Sequence, residues 1–124
     1  MTISVVAANA LLSGLRAELE GGTVSYYSGP TPIPGGATTL LLARSTVTGV
    51  PAPVDGVLSL PDGFESQRFA SGTIAWARIE NSAGLWLIDV VVGVTGGGAP
   101  IELESLTGYA GGFVKLTSSA ITVT

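Results

Sequence analysis

Three observations predict the fold class. Short β-favouring runs recur between Gly, Pro and Asp turns, a single amphipathic stretch opens the chain, and no second helix follows. Together they predict an all-β fold: an antiparallel β-sandwich, jelly-roll or Ig-like, of about seven or eight short strands with one N-terminal α-helix. A parallel sheet would need further crossover helices, and no period of a solenoid repeats along the chain. The 124 residues read as a single domain, 1–124, with a helix over 4–20 and a sandwich over 23–124.

The helix rests on Ser4 as N-cap and on Ala8, Leu11, Leu12, Leu15 and Leu19, which recur at spacings of three and four. Asn9, Ser13, Arg16 and Glu20 take the opposite face, and Gly21-Gly22 supplies the stop. The strand candidates begin with "TVSYY" (23–27), followed by the Pro/Gly loop "SGPTPIPGGAT". Next come "TLLLARSTV", the loop "TGVPAPVDG", the run "VLSL" and the loop "PDGFESQRFAS". A central hairpin spans Gly72 to Gly93, and "IELESL", "FVKLT" and "AITVT" close the series. Between them "GVTGGGAP" reads as a flexible connection.

The hairpin holds both tryptophans. In "TIAWARIE" one face carries Ile74, Trp76, Arg78 and Glu80, and the other Ala75, Ala77 and Ile79. The return run "LWLIDVVV" is apolar on both faces except at Asp89. A turn centred on Ser82 brings Arg78 and Asp89 together as a structural ion pair. One ion pair without a third polar partner makes no catalytic constellation.

Composition narrows the function. Only 11% of residues are charged, against roughly 25% in ordinary soluble domains. A surface built from Thr, Ser, Gly and apolar groups favours association, so a homo-oligomer or larger assembly is expected. The net charge is −4, and the cations Arg16, Arg44, Arg68, Arg78 and Lys115 are scattered, which argues against nucleic-acid binding. With neither Cys nor His, the chain lacks a disulfide framework, a thiolate nucleophile and the usual general base near neutral pH. No stretch approaches a membrane helix, and the start of the chain has no basic signal-peptide region; no membrane partner is expected.

Individual motifs point to no chemistry. Glu102 and Glu104 lie on one strand face, where a solvated pair is commoner than a glycosidase dyad. Asp55 and Asp62 sit in Asp-Gly turns without the remaining ligands of a calcium loop. The glycines of "VTGGGAP" precede no Lys-Ser/Thr, so they form no phosphate loop. Catalytic, metal and cofactor-binding residues are therefore expected to be none.

The ordered features resemble a family of small virion-associated structural proteins of tailed bacteriophages. The likeness spans nearly the whole chain: Ala8-Asn9-Ala10 in the helix, Ser28-Gly29 after the first strand, Leu41-Leu42-Ala43 in the next. It continues in Trp76 and Arg78, the turn Asn81-Ser82-x-Gly84, and Asp89 and Gly93 on the return. Trp86 with its apolar run, and "TGGGAPIELES", depart from the pattern and suggest an altered subunit contact. The resemblance implies a non-enzymatic particle component located in the virion and made in the host cytoplasm. It would be a capsid decoration (cement) or minor head protein, or a tail- or neck-associated subunit. Its partners would be the major capsid protein or other virion subunits. Trp86, Trp76, Pro32, Ile33 and Pro34 are the candidate interface residues. A carbohydrate- or cell-surface-binding module, with Trp76 or Trp86 as stacking platform, is the alternative.

Overall fold

The computed structural model describes residues 2–61 and 64–123; Asp62 lies outside them. The chain runs α1 (Val5–Leu19), β1 (Thr23–Tyr27), β2 (Leu41–Thr46), β3 (Val57–Leu58), β4 (Glu65–Arg68), β5 (Gly72–Thr73) and β6 (Trp76–Glu80). It continues through β7 (Trp86–Val94), β8 (Ile101–Leu103), β9 (Thr107–Gly108), β10 (Phe113–Ser119) and β11 (Ile121–Thr122).

The main sheet is not a sandwich. Seven strands close into a barrel in the order β1-β2-β4-β10-β8-β7-β6, with β6 pairing back onto β1. Two ribbons, β3-β11 and β5-β9, stand beside it. Alternating apolar and polar residues serve a sandwich and a barrel equally well, since both have one face inward. What separates them is long-range pairing. β1 pairs with both β2 and β6, and β10 with both β4 and β8, so neither is left at an edge.

The strand that closes the gap is β4, inside the stretch "PDGFESQRFAS" expected as a loop. Its pattern is inverted: polar Ser66 and Arg68 are the buried positions. Ser66 and Ser45 share a hydrogen bond of 2.8 Å, and Arg68 donates to the Leu106 carbonyl at 2.8 Å. These bonds compensate the burial of polar groups that a hydrophobic pattern would never select. A second departure is β7–β8, which pair in parallel (Val92↔Ile101, Val94↔Leu103), so the barrel is mixed and not wholly antiparallel.

The barrel interior holds Val24, Tyr26, Ala43, Ala77, Ile79, Val92, Leu103, Val114 and Leu116 in one buried cluster. Tyr26 lies opposite Ala43 on one side and Ala77 on the other, and these two small residues leave room for its ring. Leu12 and Leu19 of α1 join the same cluster beside Val47, Val50 and Leu58.

Ser4 caps α1 by accepting the Ala7 N–H at 3.1 Å. Gly21 takes the left-handed turn (φ 77°), whereas Gly22 serves close approach: a Cβ there would run into the Glu80 carbonyl. Three of the four polar residues expected on the outer face of the helix turn toward the body, and Ser13 alone stays exposed. Asn9 accepts the Gly56 N–H (2.9 Å), Arg16 donates to the Val50 carbonyl (2.6 Å), and Glu20 accepts the Val50 N–H (2.6 Å). Those bonds tie α1 to the segment 49–56, and its outward side is left to Val6, Ala10, Ser13, Gly14 and Ala17. No helix among the described residues is long and apolar enough to cross a membrane.

Candidate functional site

Strand alternation gives β1 and β6 a second buried face on the outside of the barrel. Ser25, Tyr27, Trp76 and Arg78 lie there, buried but outside the interior cluster. What covers them is the Pro/Gly segment that links β1 to β2. It cannot join the sheet, because its prolines lack the N–H a ladder requires. It folds back over the wall instead, and the wall supplies its hydrogen bonds.

Arg78 is the centre of this attachment. It sits directly opposite Asp89 across the β6–β7 ladder. Arg78 Nε donates to Asp89 Oδ1 at 2.7 Å, and Nη2 donates to Oδ2 at 2.9 Å, a two-point fork. Nη2 also donates to the Gly36 carbonyl at 2.8 Å, and Asp89 Oδ2 accepts the Gly35 N–H at 2.9 Å. Each partner of the ion pair therefore holds one residue of the loop tip. Beneath, the Trp76 indole N–H is shared between the Ser28 carbonyl and Thr39 Oγ1, both at 3.0 Å, while the Thr39 hydroxyl donates to the same carbonyl. Tyr27 stacks on Trp76 with centroids 4.6 Å apart, and the Arg78 guanidinium lies 5.3 Å from the centre of the indole.

The electrostatics fit a permanent pair. Burial works against ionisation of Asp89. The bonds from Arg78 and the Gly35 N–H outweigh it and hold the carboxyl below its ordinary value. The bond to Asp89 raises Arg78 above the usual arginine range. Both carboxylate oxygens are engaged, so the pair acts as a clamp on the loop.

The clamp brings four of the five candidate interface residues together. Gly35 takes φ 71° and lies flush on the Trp86 ring; a Cβ would stand 3.1 Å from it. Trp86 remains 46% exposed, Ile33 is 79% exposed, and Leu85 is 63% exposed next to Trp86. Pro34 is exposed and Pro32 half-buried. Trp76 is different: it is fully buried, so it supports the loop from below and offers nothing to a partner. Sequence reasoning gave no site role to Tyr27, Ser28, Thr39 or the Gly35-Gly36 pair. Of these only the paired glycines after proline carry a signal, a tight turn.

The remaining motifs separate. Glu102 is buried and accepts the Gly98 N–H at 2.6 Å, while Glu104 is exposed on the cleft described below. They do not face one another across a common cleft. Asp55 and Gly56 both have positive φ between the bridged residues Val54 and Val57, a two-residue turn of the type that favours Asp-Gly. The stretch "GVTGGGAP" is not a loose linker, since the Gly97 N–H is bonded to the Val94 carbonyl and the Gly98 N–H to Glu102. Among the described residues no group of three or more acidic side chains gathers in a metal-binding arrangement. No family model, curated protein or solved structure matches this chain.

Proposed function

We propose that this protein is a non-enzymatic structural component of a tailed-phage virion, a capsid decoration or minor head protein that binds neighbouring capsid subunits. The observation that carries the reading is the clamped Pro/Gly loop, which holds the apolar side chains of Ile33 and Trp86 on the surface. Ordering such a loop costs conformational entropy, and exposing large apolar groups on it gives no stability in return. Both make sense where a partner covers them, and an aromatic anchor beside an aliphatic one is the usual centre of an interface. The low charge of the chain and its likeness to virion-associated proteins support the same conclusion.

Mass spectrometry of purified particles tests the proposal. Copy numbers in the hundreds fit decoration, six or twelve copies would move the subunit to the tail or neck, and absence from particles rejects the reading. Within the head reading, Trp86→Ala combined with Ile33→Ser should weaken binding to undecorated capsids by at least about tenfold. Stability in urea should fall by less than the ~3–5 kcal/mol that a fully buried tryptophan costs, because Trp86 is only half covered and Ile33 is exposed.

A further inference from the structure

A second feature lies beside β4 and β10, where Arg68 at the end of β4 meets the turns either side of β9. A cleft of about 260 Å³ opens there, lined by Glu65, Arg68, Glu104, Tyr109, Phe113 and Lys115 among others. Its floor is built and fixed. Arg68 is buried, donates to the Leu106 and Gly72 carbonyls, and lies so close to Gly108 that a side chain at 108 would strike it. Its rim is fixed as well. The turn carrying Tyr109 is held by the Ala110 N–H on Ser71 Oγ (3.1 Å), the Gly111 N–H on the Arg68 carbonyl (3.0 Å) and the Gly112 N–H on the Tyr109 carbonyl (3.1 Å). On this anchored backbone Tyr109 is 81% exposed, and Phe113 beside it is 66% exposed.

The polar groups of the cleft are interleaved. Glu65 is the cross-strand partner of Lys115, and the Glu104 N–H bonds the Lys115 carbonyl, so Lys115 stands between two acidic residues on the neighbouring segments. Strand spacing sets their backbones about 4.8 Å apart, close to the width of one sugar ring. Among the described residues none of the three side chains makes an ion pair within 4.0 Å or an internal hydrogen bond. Two carboxylates offset Arg68 and Lys115, so the lining has no net charge and gives little attraction to an anion or a metal cation. Acceptors and donors in alternation suit hydroxyl groups, which are both. Two exposed aromatic rings suit the C–H face of a pyranose, which is drawn to the negative face of a π system.

We propose that this cleft is a binding site for a neutral saccharide, one ring seated between Tyr109 and Phe113 with its hydroxyls on Glu65, Glu104 and Lys115. The site is separate from the clamped loop and does not depend on the virion reading. Its volume lies just below the range of about 300–1,000 Å³ typical of small-molecule pockets, so a single ring fills it and binding is weak.

Titration of the ¹⁵N-labelled protein with maltotriose, cellotriose and chitotriose, followed by amide chemical shifts, tests the site. At least one of these probes should shift a contiguous set of amides over 65–68, 104–109 and 112–115. Tyr109→Ala or Phe113→Ala should lower the affinity at least about tenfold (about 1.4 kcal/mol) with the melting temperature unchanged, as both rings are exposed. Glu104→Gln, which keeps the shape of the side chain, should lower it by a smaller factor. The proposal is overturned if no neutral probe shifts these amides, or if the aromatic variants bind as the parent does. Binding of only an anionic probe such as sialyllactose or inorganic phosphate would also overturn it.

Discussion

Arg78 and Asp89 show how a side-chain pair can set the shape of a loop thirty or more positions away in sequence. An ion pair taken out of water gains little by itself, since desolvation offsets most of the attraction. Its value here lies in the two further bonds, to the Gly36 carbonyl and from the Gly35 N–H, which tie the loop tip to the wall. Removing one partner leaves the other charge buried with no counter-ion. Asp89→Asn and Arg78→Met should each destabilise the fold by about 3–5 kcal/mol, whereas Arg78→Met with Asp89→Leu should cost less than either alone. Urea unfolding of the three variants measures this, and equal or additive losses would show that the charges are not coupled. Amide exchange at Gly35 should quicken most in the double variant, since Asp89→Leu removes the acceptor of its N–H even where stability is recovered.

Elements were legible where one strand's own alternation decides the matter, and not where pairing does. β1, β6 and β7 could be read from β-branched and aromatic runs, and the Arg78–Asp89 register followed from the Asn-Ser-x-Gly turn. β4 could not, because its inward residues are Ser66 and Arg68 and their partners, Ser45 and the Leu106 carbonyl, come from distant segments. The closed barrel was hidden for the same reason: nothing local in β1 reveals that it will be bracketed by β2 and β6. The parallel β7–β8 step was hidden by its shortness, as parallel partners normally need a dozen or more linking residues. Here the chain turns back between Val94 and Ile101 using Gly96 (φ 84°) and Gly98 (φ 86°). Gly98→Ala meets no atom within 4 Å, so its cost is the left-handed backbone alone, about 1–2 kcal/mol. Gly14→Ala, equally uncrowded but inside α1, should instead stabilise by about 0.5–1 kcal/mol. Opposite signs for one chemical change, read by thermal unfolding, would separate backbone conformation from packing as the cause.

For the molecule as a whole, the same two buried faces fix how stability depends on pH. The chain has no His, so no side chain with an ordinary pKa titrates between about pH 5 and 8. On the acid side the folded carboxyl of Asp89 lies below its unfolded value of about 3.9. Its contribution is complete above that value and is lost as pH falls through the lower folded one. On the alkaline side burial pushes the Tyr26 hydroxyl well above its usual value. Ser66 is near enough to ease ionisation in part, yet it bonds Ser45, and Tyr26 Oη has no partner in bonding geometry among the described residues. An unfolded tyrosine releases its proton near pH ~10 while the folded one keeps it, so stability is complete below that pH and falls as pH rises beyond it. The melting temperature should therefore hold a plateau between about pH 5 and 9 and decline on both sides. Tyr26→Phe removes a buried hydroxyl without breaking a bond, so stability at pH 7 should change by less than about 1 kcal/mol. In that variant the alkaline decline should move to higher pH while the acid limb stays in place. A neutral-pH loss of several kcal/mol would show a hydrogen bond to Tyr26 Oη, and an unmoved alkaline limb would assign it to another group.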